Sequence, residues 1–170
     1  MVNAKAALVA IRDVFDADRV ELPIMISGSV GRGGEMMISA QTVEAFWNAV
    51  EHVNPLSIGF NCSLGPDLMF PFVAELAEKA NTAVSCYPNA GLPNPLSPTG
   101  FDLEPPDMAR FMSQFADAQL LNIAGGCCGN TPDHIAAIAR ALEGRHPREF
   151  GEAQSTRMIS VPSLAQEAPE

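Results

Sequence analysis

The chain has 170 residues, 47% of them hydrophobic and 18% charged, enough for one ordinary domain with its own core and too apolar for a disordered chain. The formal net charge is −10 and Lys and Arg nowhere form a block, which excludes nucleic acid and an anionic membrane surface as main partners. No apolar run approaches bilayer length, and Lys5, Arg12 and Asp13 interrupt the N-terminal stretch, so the sequence reads as a cytoplasmic protein whose four cysteines are metal ligands or reactive thiols, not a disulfide framework.

Residues 6–15 read as a helix, followed by a short apolar run, 22–27, that reads as a strand. The glycines of GSVGRGG (28–34) follow this strand as a phosphate loop would. They have neither the GxGxxG spacing nor a terminal Gly-Lys-Ser/Thr, and the segment reads as a flexible surface loop. Val43, Phe46, Trp47 and Val50 then recur at helical spacing, and the run 56–62 is a second strand. Val73, Leu76, Ala77 and Ala80 mark the next helix, and 82–87 the third strand. The connection 88–106 is long for a compact domain, which predicts that it folds over a substrate. Met108, Phe111, Met112 and Phe115 form another helical face, and 120–124 a fourth strand. The last helix carries Ile135, Ile138, Ala139 and Leu142, with Thr131 as N-cap, Pro132 at the first helical position and Gly144 just past the end.

The four strands lack clean alternation and so read as buried on both faces. Strand and helix alternating four times predict an α/β protein with a parallel sheet and right-handed crossovers, either doubly wound or a barrel. The domain is expected to span residues 1–144. Residues 145–170, with Pro147, Pro162 and Pro169 and no periodicity, read as a linker or loosely ordered tail.

Chemistry-bearing residues gather where strands end: Gly28, Cys62, Asn89 and the run GGCCG (125–129). That edge is where α/β proteins place their sites. Adjacent side chains of a regular strand point to opposite faces, so Cys127 and Cys128 can reach one ligand only if the backbone leaves strand geometry. Gly125, Gly126 and Gly129 permit that departure, and the pair reads as a metal site. With Cys62 it would supply three soft ligands and leave a fourth position open, as in a catalytic zinc site. From spacing alone Cys62 stays open between ligand and packed core thiol, whereas Cys86, inside the third strand, reads as core. Asn89, in PNAG, reads as an Asx turn or as a fourth ligand that substrate displaces, the turn being favoured. His134, in the first turn of the last helix, reads as a solvated or capping histidine.

The stretches IGFNCSLGP (58–66), YPNAGLPN (87–94) and GGCCGNTPDHI (125–135) resemble the homocysteine-binding domain of cobalamin-dependent methionine synthase, a branch of the zinc-dependent homocysteine S-methyltransferase family. GGCCG marks the wider family, which includes betaine-dependent enzymes, and the other two stretches point to the cobalamin branch. The resemblance implies zinc on Cys62, Cys127 and Cys128, with Asn89 as a displaceable fourth ligand. It implies homocysteine activated as a zinc thiolate, accepting a methyl group from methylcobalamin bound elsewhere and giving methionine. The net charge of −1 on zinc with three thiolates lets the substrate thiol lose its proton while the sulfur stays nucleophilic. Backbone amides at Gly125 and Gly126 are the expected contacts for the substrate's amino-acid end. The family domain is a (β/α)8 barrel, and four βα units correspond to its C-terminal half. The implied partners are therefore a complementary N-terminal half-barrel or the remaining methionine synthase modules, and the isolated chain is expected to be incomplete as a methyltransferase. Alternatives are a betaine- or S-methylmethionine-dependent enzyme, or a noncatalytic zinc-binding fragment.

Overall fold

The computed structural model describes residues 1–37 and 40–151. Helix α1 (Val2–Asp18) leads into strand β1 (Met25–Gly28), and the pattern continues through α2 (Val43–Val50), β2 (Ser57–Asn61), α3 (Pro66–Lys79), β3 (Ala83–Tyr87), α4 (Pro105–Asp117), β4 (Ile123–Ala124) and α5 (Pro132–Leu142). All strands are parallel and their order in the sheet is β1-β2-β3-β4. A doubly wound sheet reverses its order at a switch point. This one does not, and its order is that of a (β/α)8 barrel carried through four of its eight units.

Sequential order with right-handed crossovers puts the helices on one face of the sheet. Ile58, Phe60, Val84 and Cys86 point into that layer, where they meet Phe46, Met69, Val73, Leu76, Met108, Met112 and Phe115 in one core. The rings of Phe46 and Phe60 lie 5.9 Å apart, and the Cys86 thiol contacts the Met69 sulfur. The other face carries Ser57, Gly59 and Asn61 from β2 and Ala83, Ser85 and Tyr87 from β3, small or polar residues in strict alternation with the apolar ones. The central strands are thus buried on both faces as expected, but the alternation is present, written in Gly, Ser and Ala instead of charged residues.

Strand β1 departs from the expected double burial. Met25 in the strand is 52% exposed, and Leu22 just before it is exposed as well. Helix α1 buries Leu8 alone. Residues 28–34 are not a loose loop: Val30 is fully buried and bridges Met36 in antiparallel fashion, with the Gly31 N–H donating to Glu35 O at 2.8 Å.

The packed chain also runs past Gly144. The Arg148 side chain, 8% exposed, lies under the sheet and donates to the carbonyls of Ala77 (3.0 Å from Nε), Thr82 (2.9 Å from Nη1) and Ala80. Its backbone N–H donates to Leu121 O at 2.9 Å, and its carbonyl accepts from Asn122 Nδ2 at 2.7 Å. A guanidinium with five fixed donors suits this cluster, which collects the last carbonyls of α3 where no residue of that helix can reach them. Burial lowers its pKa. Of the expected linker or loosely ordered tail, 145–170, residues 152–170 lie outside the described residues.

Arg148→Ala would leave those carbonyls buried without donors and should destabilise the domain by about 3 kcal/mol, read as a lower urea midpoint. Arg148→Lys should recover part of the loss. An Arg148→Ala protein unfolding at the wild-type midpoint would show that this segment does not anchor the domain.

Candidate metal centre

Strand β2 ends at Asn61, and the next two residues, Cys62 (φ 62°) and Ser63 (φ 61°), both occupy the left-handed region. Each costs on the order of 1–3 kcal/mol for a residue with a side chain, and such strain persists only where the surroundings impose it. Here the Cys62 N–H donates to Tyr87 O (3.0 Å), the Leu64 N–H to Cys62 O (2.8 Å) and Ser63 Oγ to Val30 O (2.9 Å). The twist takes the Cys62 thiol off the line of the strand and turns it toward the loop after β4.

That loop is held by a ladder that prolongs the β3–β4 pairing beyond both strands. Gly125 N–H donates to Cys86 O (3.1 Å), Cys127 N–H to Pro88 O (2.8 Å), Cys128 N–H to Asn89 Oδ1 (3.1 Å), and Ala90 N–H to Cys128 O (2.9 Å). Asn130, which the sequence did not single out, adds its Nδ2 to Pro88 O at 3.0 Å. Of the loop glycines only Gly129 has a positive φ, 78°. Gly125 and Gly126 are required for another reason, close approach. A Cβ on Gly125 would sit 2.8 Å from the Tyr87 ring, and one on Gly126 2.4 Å from the Asn130 side chain.

The three thiols meet. The sulfurs of Cys62, Cys127 and Cys128 all lie within 4.8 Å of one another, Cys62 to Cys128 at 3.5 Å and Cys127 to Cys128 at 3.9 Å. Tetrahedral zinc with Zn–S bonds of about 2.3 Å places its sulfurs about 3.8 Å apart, so this spacing fits such an ion. Cys86 lies elsewhere, fully buried against Met69, and burial pushes its thiol pKa up.

The thiols are not equivalent. The Ser63 backbone hydrogen bond lowers the Cys62 pKa most, helped by the side chains of Cys128, Cys127 and Asn89 and opposed by partial burial. Cys128 is pushed up to about 11, chiefly because its thiol hydrogen-bonds to Cys62. Cys62 therefore gives up its proton before Cys128, which hydrogen-bonds to it.

Asn89 is 3% exposed at the edge of the cluster. Its Oδ1, the atom that would ligate a metal, accepts the Cys128 N–H. Of the two glycines expected to bind substrate, Gly125 spends its amide on Cys86, whereas the Gly126 N–H has no partner among the described residues. His134 caps its helix as expected but is 6% exposed, not solvated.

The family described as homocysteine S-methyltransferase matches residues 1–142, which include all three clustered cysteines. The chain belongs to the homocysteine S-methyltransferase family. Among solved structures it is similar to the homocysteine methyltransferase MmuM from Escherichia coli in its oxidized form, at 18% identity and a TM-score of 0.46. That likeness covers 63% of this chain and 32% of the other, so the chain spans about a third of the length of that structure. Among the described residues no helix is long and apolar enough to cross a membrane.

The pKa order carries a chemical consequence in the metal-free protein. With iodoacetamide near neutral pH, Cys62 should be alkylated before the more exposed Cys128, since the thiolate is the nucleophile, and Cys86 should stay unmodified until unfolding. Peptide mass mapping over time reads the order, and labelling of Cys128 first would mean that exposure, not the Ser63 hydrogen bond, governs reactivity.

Proposed function

We propose that Cys62, Cys127 and Cys128 hold one zinc ion and that the site serves transfer of a methyl group to the sulfur of homocysteine, giving methionine. The observation that carries this reading is the placement of three sulfurs, from two separate strand ends, at the spacing of a tetrahedral shell with one side open. A bound zinc in such a shell supplies acidity, lowering the pKa of a substrate thiol so that it is nucleophilic at neutral pH. The chain's own residues then have three tasks. Cys62, twisted into the left-handed region, closes the ligand set across the sheet edge. The Cys127–Cys128 backbone is fixed by Pro88, Asn89 and Ala90. The Gly126 N–H, without a partner among the described residues, can donate to the substrate's carboxylate, and Gly125 contributes by letting Tyr87 close on the loop.

Asn89 stands beside the open position and can ligate there only by releasing the Cys128 N–H, so its part in the proposal is that of a ligand exchanged for substrate. The donor in this reading is methylcobalamin bound elsewhere, favoured over betaine or S-methylmethionine by the NCSLGP and PNAGLPN stretches. The open edge at β1, with Leu22 and Met25 exposed beside it, suits cover by a complementary N-terminal half-barrel or by further methionine synthase modules.

Protein purified without chelator should carry about one equivalent of zinc with Zn–S distances of about 2.3 Å by X-ray absorption. Cys127→Ser or Cys128→Ser should remove most of it, and Cys86→Ser should not. Equal loss from Cys86→Ser would overturn the ligand set. With a complementary half supplied, methyl transfer to homocysteine should proceed with methylcobalamin and not with betaine or S-methylmethionine. Activity with one of the latter would reassign the donor, and zinc binding without activity on any donor would reduce the site to a structural metal.

A further inference from the structure

Leu103, the residue that closes the long connection between β3 and α4, is held at both of its backbone groups. Its N–H donates to Ala90 O at 3.1 Å, and its carbonyl lies 2.9 Å from Nε2 of His134. A carbonyl can only accept, so Nε2 carries the proton and Nδ1 is the acceptor. Nδ1 indeed receives the Thr131 N–H at 3.1 Å and the Thr131 hydroxyl at 2.8 Å. One buried imidazole thus satisfies the start of α5 with one nitrogen and grips the connection with the other. The contacts close a ring: Cys128 to Ala90, Ala90 to Leu103, Leu103 to His134, His134 to Thr131, and Thr131 back along three residues of chain to Cys128. Two close packings tighten it. Phe101 lies where a Cβ on Gly129 would be, 2.4 Å away, and Gly91 (φ 90°) leaves room for Leu103, which would meet its Cβ at 3.2 Å.

We propose that His134 is a positioning residue for the thiol cluster, acting by tying the 88–104 connection across the Cys127–Cys128 loop. The inference rests on the zinc reading above for its consequence, but not for its geometry. A helix cap alone does not need a histidine: at the equivalent third position of α4, Asp107 receives the Glu104 N–H at 3.2 Å. A short amide at position 134 would do the same for Thr131 but would fall short of Leu103. What the imidazole adds is reach to the second nitrogen. Residues that orient metal-binding loops from behind typically change metal affinity by about 10–100-fold when removed.

The test uses the full chain and two variants that divide the two functions. His134→Asn keeps an acceptor for the Thr131 N–H and loses the Leu103 bond, whereas His134→Gln places an amide N–H near the position of Nε2. In metal-free protein, chymotrypsin should cut after Phe101 faster in His134→Asn than in wild type, with the thermal midpoint unchanged, and His134→Gln should restore resistance. In zinc-loaded protein, His134→Asn should surrender the metal to a competing chelator about tenfold more readily, and His134→Gln should approach wild type. Wild-type protease resistance in His134→Asn, equal impairment of both variants, or protease sensitivity with unchanged zinc retention would each overturn the positioning role. If wild type holds no zinc while the protease contrast stands, the zinc reading fails and the tie itself is upheld.

Discussion

Parallel pairing between β3 and β4 does not stop where the strands do, and the site depends on that continuation. Strand β4 has two residues, too few to fix a loop by itself. The backbone from Pro88 to Ala90 keeps exchanging hydrogen bonds with the chain from Cys127 to Cys128, and the Asn89 side chain stands in for a backbone acceptor where the register would fail. Each bond contributes only about 1 kcal/mol net. Their combined effect is to make two adjacent cysteines rigid at a place where a glycine-rich segment would otherwise sample many conformations. The strained pair Cys62 and Ser63 then has a fixed target to face across the sheet edge.

Rigidity matters because the cluster is electrostatically expensive. Three thiolates within 4.8 Å would repel strongly in a chain already at −10. Without a cation the site resolves this by holding protons: Cys62 gives its own up before Cys128, which keeps its proton well above the ordinary thiol range. A divalent cation replaces those protons with charge of higher density, and metal binding must release them. The pre-set spacing means that little of that binding energy goes into moving backbone. The Asn89 side chain lies beside the three sulfurs, touching both Cys62 and the Cys128 backbone.

Much of this was legible in the sequence because helices announce themselves through a 3.6-residue period, and four of them did so with Phe, Met, Leu, Ile and Val. The punctuation of α5 by Thr131 and Pro132 was equally readable. Strand faces were harder. Ser57, Gly59 and Asn61 alternate with Ile58 and Phe60, yet small residues on the face opposite the helices do not look polar enough to register as a second face. Cys62 carries no mark of its left-handed backbone, since that conformation is normally signalled by Gly or Asn and here is imposed by Tyr87, Val30 and Leu64. The loop glycines meet two different requirements that the sequence does not separate: Gly125 and Gly126 yield space to Tyr87 and Asn130, and Gly129 alone needs its positive φ. Arg148 was invisible because its acceptors are carbonyls 71 and 68 residues earlier in the chain, a relation no local pattern encodes. His134 could be read as a cap but not as a tie, since Leu103 lies 31 residues away.

The sheet also constrains what can complete it. Among the described residues the unit has four strands and five α-helices, because a helix precedes the first strand as well as following each one. Closing eight parallel strands creates eight grooves between neighbours, each filled by one helix. A second copy would bring the strands to eight but the helices to ten, and α1 of one copy would contend with α5 of the other for a single groove. A complement of four strands and three helices, beginning and ending on a strand, meets no such conflict. It would pair with the free side of β1. Under the proposed reading, the free edge of β1 is therefore better matched by a half-barrel of different composition than by self-association.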